Sequence, residues 1–230
     1  MKVYEFDIEA AKKLLILNLE TRKKHPEIFE NRDILSEEFQ TALSVYHCLG
    51  LRENTKDNHK VTIFRLSSAD ASKFTYLDVT RLIIALLDCR LVYCDENELI
   101  NGEISIVDVS NFTFRHFTKI IPHVGIMKAY FNYAQEAAPI RIIHSHFINC
   151  SPLMSKLMAI VRPFLKKEVS DSIKFHSSLE SLYEFVPKDI LPVDFGGTAE
   201  SLNEYHLKVK EVFEKSRDYL KCDDNWKIED

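Results

Sequence analysis

Glycine is scarce, with five residues in a chain of 230, and the phosphate cradles that depend on it are missing. Neither GxGxxG nor GxxxxGK[ST] occurs, so the usual dinucleotide and nucleotide sites are not expected. GxSxG and HExxH are absent as well, which removes the nucleophile elbow and the zinc helix. The five cysteines, Cys48, Cys89, Cys94, Cys150 and Cys222, are odd in number and form no CxxC pair. They read as reduced thiols, with neither a disulfide framework nor a structural zinc site. No run of about 18 apolar residues occurs, so no segment is expected to span a bilayer. In MKVYEFDIEAAKKLLILNLE the charges Asp7, Glu9, Lys12 and Lys13 break up the apolar core that a signal peptide needs, and a cytoplasmic chain is expected. A basic excess is lacking too: 30 Lys and Arg against 35 Asp and Glu give a formal net charge of −5. Nucleic acid is therefore not an expected partner, and an anionic partner must be met by a local basic patch.

What is present is 46% hydrophobic residues, enough for one substantial core. Residues 7 to 24 place Ile8, Ala11, Leu15 and Leu19 at helical spacing, which predicts an amphipathic helix, with no sequence-local partner, that ends in a basic C-terminal turn at Arg22, Lys23 and Lys24. A second helix is expected over 37 to 49. From residue 60 the pattern alternates: VTIFRL (strand), TYLDVTRLIIALLDCRLVYC (helix), GEISIVDVS (strand), HVGIMKAYFNYAQEA (helix), RIIHSHFI (strand), PLMSKLMAIVRPFL (helix), SIKFHS (strand), SLESLYEFV (helix). Strands alternating with helices imply an α/β fold with parallel pairing, and Ile104 to Val109, apolar on both faces, belongs in the middle of a covered sheet. Residues 199 to 221 read as a final outer helix before the polar tail KCDDNWKIED.

Few residues offer chemistry. His144 and His146, two apart on a strand, share a face and read either as a metal-chelating pair or as buried hydrogen-bonded imidazoles. No Asp, Glu or Cys nearby in sequence completes a ligand set, so no metal is expected. His176 reads as structural. Asp108 shares a face with Ile104 and Ile106 near the C-terminal end of its strand, where ligands of open α/β sheets bind. It reads either as a general base or as a carboxylate accepting backbone, Ser or Asn hydrogen bonds in the turn VDVSNF. Without a second catalytic group, no catalytic residue is assigned and no enzyme is expected.

The stretches NGEISIVDVSNFTF, APIRIIHSHFINCSPLMSKLMAIVRPFL, SIKFHSSLESL and DILPVDFGG resemble the CRAL-TRIO lipid-binding family, in particular the branch of alpha-tocopherol transfer protein and cellular retinaldehyde-binding protein. The likeness spans about residues 60 to 200. Gly102, Asp108, Pro139, Arg141, His146, Asn149, Pro152, Pro163, His176, Leu191, Pro192, Gly196 and Gly197 fall in the family's order and spacing. Residues 7 to 33 resemble the end of the family's N-terminal helical region, most of which is expected to be missing here. The implied organisation is a remnant of that region over 1–49, a lipid-binding domain over 50–200, and a C-terminal helix and tail over 201–230.

The resemblance implies a mixed, mostly parallel sheet flooring a hydrophobic pocket that is closed by a helical gate at about Pro152 to Ser172. The gate residues make two apolar stripes on their own terms: Leu153, Leu157, Ile160 and Phe164, and beside them Met154, Met158, Val161 and Leu165. By position the pocket should be lined by Ile83, Leu87, Ser105, Val107, Ile120, Ile140 and Ser145, with Met154, Leu157, Ile160 and Leu165 added by the gate. Ser105 and Ser145 are the small polar members, able to bond a ligand hydroxyl or aldehyde or their own backbone. Lys166 and Lys167, with Arg162 one turn earlier and Arg141, are the cations expected to meet anionic headgroups at a membrane; a solvated helix end is the other reading of the lysines.

Two departures from the family bear on function. At the places matching the basic phosphoinositide-binding residues of tocopherol transfer protein, Arg141 is kept, but Ile143, Glu168 and Ser172 are not basic. In EAAPIR, Ala138 replaces a common aromatic and is expected to widen the pocket. The expected function is binding of a tocopherol, retinoid or other isoprenoid-like lipid and its transfer between membranes, with no cofactor, by a cytoplasmic protein that contacts membranes transiently and peripherally. The alternative is a phospholipid or phosphoinositide sensor or presenter, and a third reading is a lipid-modifying enzyme using Asp108 or His144 as base. Cargo identity and oligomeric state stay open at this level.

Overall fold

The computed structural model describes residues 7–90, 100–222 and 226. The chain opens with α1 (Ile8–Lys24), α2 (Pro26–Phe29) and α3 (Glu37–Val45), followed by β1 (Tyr46–Gly50) and β2 (His59–Leu66). Then come α4 (Tyr76–Cys89), β3 (Gly102–Asp108), α5 (Phe114–Ile120), α6 (Val124–Asn132), β4 (Ile142–Ile148) and α7 (Leu153–Val161). The order closes with α8 (Lys167–Asp171), β5 (Ile173–Phe175), α9 (Leu179–Tyr183), α10 (Leu202–Lys215) and α11 (Arg217–Lys221). The five strands form one sheet in the order β1-β2-β3-β4-β5. Pairing is parallel throughout except for the antiparallel edge pair β1·β2. The doubly apolar strand β3 is central, as its sequence requires.

The expected second helix stops four residues early. Ser36 caps it by accepting from the Phe39 amide at 3.1 Å, but Tyr46 to Gly50 leave it to pair with Leu66 to Thr62 as an edge strand. YHCLG has too few residues for its period to be read, and the ladder offered by β2 decides its conformation. The expected extension of α4 through Cys94 lies outside the described residues.

One face of the sheet carries the main core. Val61, Ile63, Ile104 and Ile106 point to it, covered by Leu182, Val186, Tyr205, Val209 and Phe213. α3 joins this core through Phe39, Ala42 and Leu43, whereas α1 packs on residues 133–137 and α2 on α4; the buried stripe of α1 is Leu14, Asn18 and Arg22, not the apolar positions Ile8, Ala11, Leu15 and Leu19. Ile8 and Leu15 are exposed. The reason is a specific partner: Asp88 of α4 is fully buried and takes Arg22 Nη2 at 2.6 Å and Nη1 at 3.0 Å, with Arg32 as a second guanidinium donor. A buried carboxylate needs cations more than the α1 leucines need cover. Trp226, from the tail expected to be only polar, lays its ring 3.7 Å from the Arg22 guanidinium carbon.

Candidate ligand-binding cavity

On the other face of the sheet the side chains do not close up; they bound a cavity of about 280 Å³, near the lower end of the range of small-molecule sites. Its floor is the sheet, through Phe64 of β2, Ser105 and Val107 of β3, and Ile142, Ser145 and Phe147 of β4. Strict alternation would put Ile142 and Ser145 on opposite faces. They share one because the β3·β4 register runs Glu103↔Ile142 and then Ile104↔His144, leaving Ile143 as an extra residue in a β-bulge. Gly102 makes room for it: a Cβ there would lie 2.6 Å from two side-chain carbons of Ile143 and 3.0 Å from the Arg141 carbonyl.

Walls and roof come from helices. α4 contributes Val79, Ile83 and Leu87, α6 contributes Met127, Tyr130 and Phe131, and α7 contributes Met154, Leu157, Met158 and Val161. The chain after α6 widens into a π-helical turn, Tyr133–Ala137, which brings Ala134 and Gln135 onto the wall. Leu165 and Val169 complete the cover beyond α7.

Of the residues expected at the pocket, Ile83, Leu87, Ser105, Val107, Ile120, Ile140, Ser145, Met154, Leu157 and Leu165 all line the cavity. Ile160 does not; it packs, half-buried, into the neighbouring cluster around Phe74, Val79 and Val161. It falls on the side of α7 away from the Met154–Met158 stripe that the helix buries. Ala138 does not widen the cavity either. It is buried among Ile28, Phe29 and Tyr133, where the N-terminal helices fill the space. Sequence reasoning missed the aromatic wall of Tyr46, Phe74, Tyr76 and Phe112. Their spacing carried no period, and only the fold brings them together. Burial pushes the Tyr76 phenol up to about 12 and raises those of Tyr46 and Tyr130 as well, so all three stay protonated and able to donate.

The four expected headgroup cations are not equivalent. Lys166 Nζ is bridged to Glu136 at 2.6 Å and Lys167 Nζ to Asp171 at 2.5 Å, all on the surface. Such exposed pairs are worth about 0–1 kcal/mol and exchange readily. Arg141 and Arg162 are exposed and hold no carboxylate among the described residues.

The remaining chemistry resolves into hydrogen bonding. Asp108, buried, accepts from the Ser110 amide at 3.0 Å and from Asn149 Nδ2 at 2.9 Å, which is the turn-stabilising arrangement of its two readings. His146 Nδ1 lies 2.8 Å from His176 Nε2, and His176 Nδ1 lies 2.9 Å from Ser181 Oγ. The His144 and His146 rings meet edge to face, 5.7 Å apart, and His146 takes its partner from β5's end rather than from His144. Among the described residues, no cluster of three or more His, Cys, Asp or Glu is placed to hold a metal, and no helix is long and apolar enough to cross a membrane.

A mostly parallel sheet flooring a largely apolar cavity, roofed by a short amphipathic helix, defines an α/β domain built around a hydrophobic pocket. The sequence profile of the CRAL/TRIO domain matches residues 45–197, and the chain belongs to this family. A second profile, the Pinta-like UBA domain, matches residues 1–39. Among relatives, human Clavesin-2 is 28% identical over 199 residues, 86% of this chain and 59% of that protein. Xenopus laevis Clavesin-1 is 33% identical over 152 residues, 65% of this chain and 44% of that protein. The chain thus spans well under two thirds of these relatives' length. The crystal structure of Sfh5 superposes with a TM-score of 0.60 at 16% identity, covering 90% of this chain and 79% of that one, which shows a shared fold.

Proposed function

We propose that the protein binds a small hydrophobic molecule of the tocopherol, retinoid or isoprenoid class in this cavity and exchanges it at a membrane surface through movement of the segment 152–172. The observation that carries this reading is the cavity itself: a mostly apolar chamber roofed by a helix whose buried stripe is Met154, Met158 and Val161. Methionines suit a surface that must pack against changing neighbours. Burying about 500 Å² of ligand at about 25 cal/mol per Å² yields roughly 12 kcal/mol gross, from which association costs several. The balance corresponds to micromolar to nanomolar affinity. Release into water at that affinity is slow, so a roof that opens at a bilayer is a mechanistic need. Arg162, Lys166 and Lys167 lie at the end of that roof, where each cation near an anionic surface contributes about 1 kcal/mol. The protein would then act as a peripheral, cytoplasmic carrier rather than an enzyme.

The test is to purify the protein, extract it with organic solvent and identify the extract by mass spectrometry and absorption. A stoichiometric isoprenoid or pigment supports the carrier. A stoichiometric phospholipid supports the alternative, a lipid sensor or presenter using Arg141 with Lys166 and Lys167. An empty extract together with no stoichiometric uptake of added lipids overturns both.

A further inference from the structure

The cavity floor is not uniformly apolar. Ser105 on β3 and Ser145 on β4 are register partners, so they stand side by side across strands about 4.8 Å apart, and both line the cavity. Ser105 is only 8% exposed and Ser145 is half-buried; among the described residues no side-chain hydrogen bond engages either hydroxyl, and both open onto the cavity rather than being sealed from it. A hydroxyl that opens onto an apolar cavity is held most favourably by a bound molecule, or an ordered water, that completes its hydrogen bonds.

The surroundings sharpen the demand. On the same face two residues before Ser105 stands Glu103, 2% exposed and on the same lining. Arg90 Nη1 donates to Glu103 Oε2 at 3.0 Å and to Thr62 Oγ1 at 3.1 Å. Thr62 is the register partner of Ser105 on its other side. A polar strip therefore crosses the sheet from Thr62 through Ser105 to Ser145, with a buried ion pair along its edge, under a roof of aliphatic and aromatic side chains.

We propose that Ser105 and Ser145 form a head site for the hydroxyl group of a neutral lipid alcohol, whose hydrocarbon remainder runs along the apolar wall toward α7. This rests on the carrier reading above and names the chemistry of its cargo. A hydroxyl donates to one serine and accepts from the other, satisfying both. An ether of the same shape offers no donor and leaves one serine unpaired, a loss that polar sites punish heavily. A carboxylate would be buried beside Glu103, whose own charge is already matched by Arg90, and like charges in a dry cavity repel strongly. The head thus lies deep on the sheet, and the tail is the end that leaves first.

The full chain is loaded with the neutral fluorophore 1-aminoanthracene, which is then displaced with oleyl alcohol, oleyl methyl ether and oleate in turn. The expected result is that the alcohol binds at least about tenfold tighter than either competitor. In S105A/S145A, with an unchanged circular dichroism spectrum, alcohol and ether come within about twofold of each other. If wild-type protein binds ether or oleate as tightly as the alcohol, or if the double variant keeps the wild-type preference, the head site is overturned while the carrier stands. If neither fluorophore nor any of the three lipids binds, the carrier reading falls and the head site with it. The wild-type comparison decides the matter even if the double variant does not fold.

Discussion

The backbone amide of Lys166 donates to Oε1 of Gln135 at 2.7 Å, while Gln135 Nε2 donates to the carbonyl of Phe164 at 2.9 Å. One side chain on the π-helical turn thereby fixes the backbone on either side of Leu165, at the end of the cavity roof. The π-helical turn places Gln135 in reach of residues some thirty positions away, and among the described residues the surface bridge Lys166–Glu136 adds to this pair of bonds.

Replacing Gln135 by Leu removes both bonds while keeping an apolar wall. At about 1 kcal/mol net per bond, the roof should open more often, and stopped-flow release of a bound fluorescent lipid to acceptor vesicles should speed up roughly thirtyfold. Release at the wild-type rate would mean that Gln135 does not hold the roof.

The roof's apolar residues should matter at the membrane. With Leu157→Asp and Phe164→Asp, transfer of lipid between liposomes should be lost, because an aspartate buried in hydrocarbon costs several kcal/mol. Undiminished transfer by the double variant would count against the assignment of this segment as the moving part.

Asp88 anchors the N-terminal helices through Arg22 and Arg32. Asp88→Asn leaves two buried guanidinium groups facing a neutral amide, and stability should fall by about 3–5 kcal/mol. Urea denaturation reads this as a lower midpoint at unchanged slope; a shift under about 1 kcal/mol would show that the network is solvated in solution.

Histidines set the acid side of the stability curve. Burial first, then His176 and His144, push the His146 imidazole down to about 3. Burial, then His206 and Arg65, push His47 down to about 4, and burial followed by Lys210 does the same to His206. The ordinary value is 6.5, so between that pH and the folded-state values the unfolded chain binds more protons than the folded one. Stability is therefore fully present above about pH 6.5 and lost as pH falls through that window toward 3–4. The His47 and His206 rings stack with centroids 4.1 Å apart, so His206→Gln should flatten the decline of the urea midpoint between pH 7 and pH 5. An unaltered slope would assign the acid sensitivity to other groups.

Sequence pattern was sufficient wherever a period ran for two turns or a full strand. The parallel strands VTIFRL, GEISIVDVS and RIIHSHFI, the helix from Tyr76 and the roof helix from Leu153 were all legible, because hydrophobic periodicity reports directly which face is buried. Family spacing added the pocket positions, and ten of the eleven expected residues do line the cavity.

Among what escaped the sequence, three features have a reason that lies in long-range contact. YHCLG became an edge strand because β2 offered it a ladder. α1 turned Asn18 and Arg22 inward beside Leu14, and left Ile8 and Leu15 exposed, because Asp88, 66 residues beyond Arg22, is buried and charged. The extra residue at Ile143, which puts Ser145 beside Ser105 on the cavity floor, is set by pairing register between two strands and leaves no mark in either strand's own alternation. Local pattern thus determined which elements form and which of their faces are apolar. The pairing of polar groups distant in sequence, which costs too much to leave undone in a dry interior, was decided only when the tertiary structure closed around them.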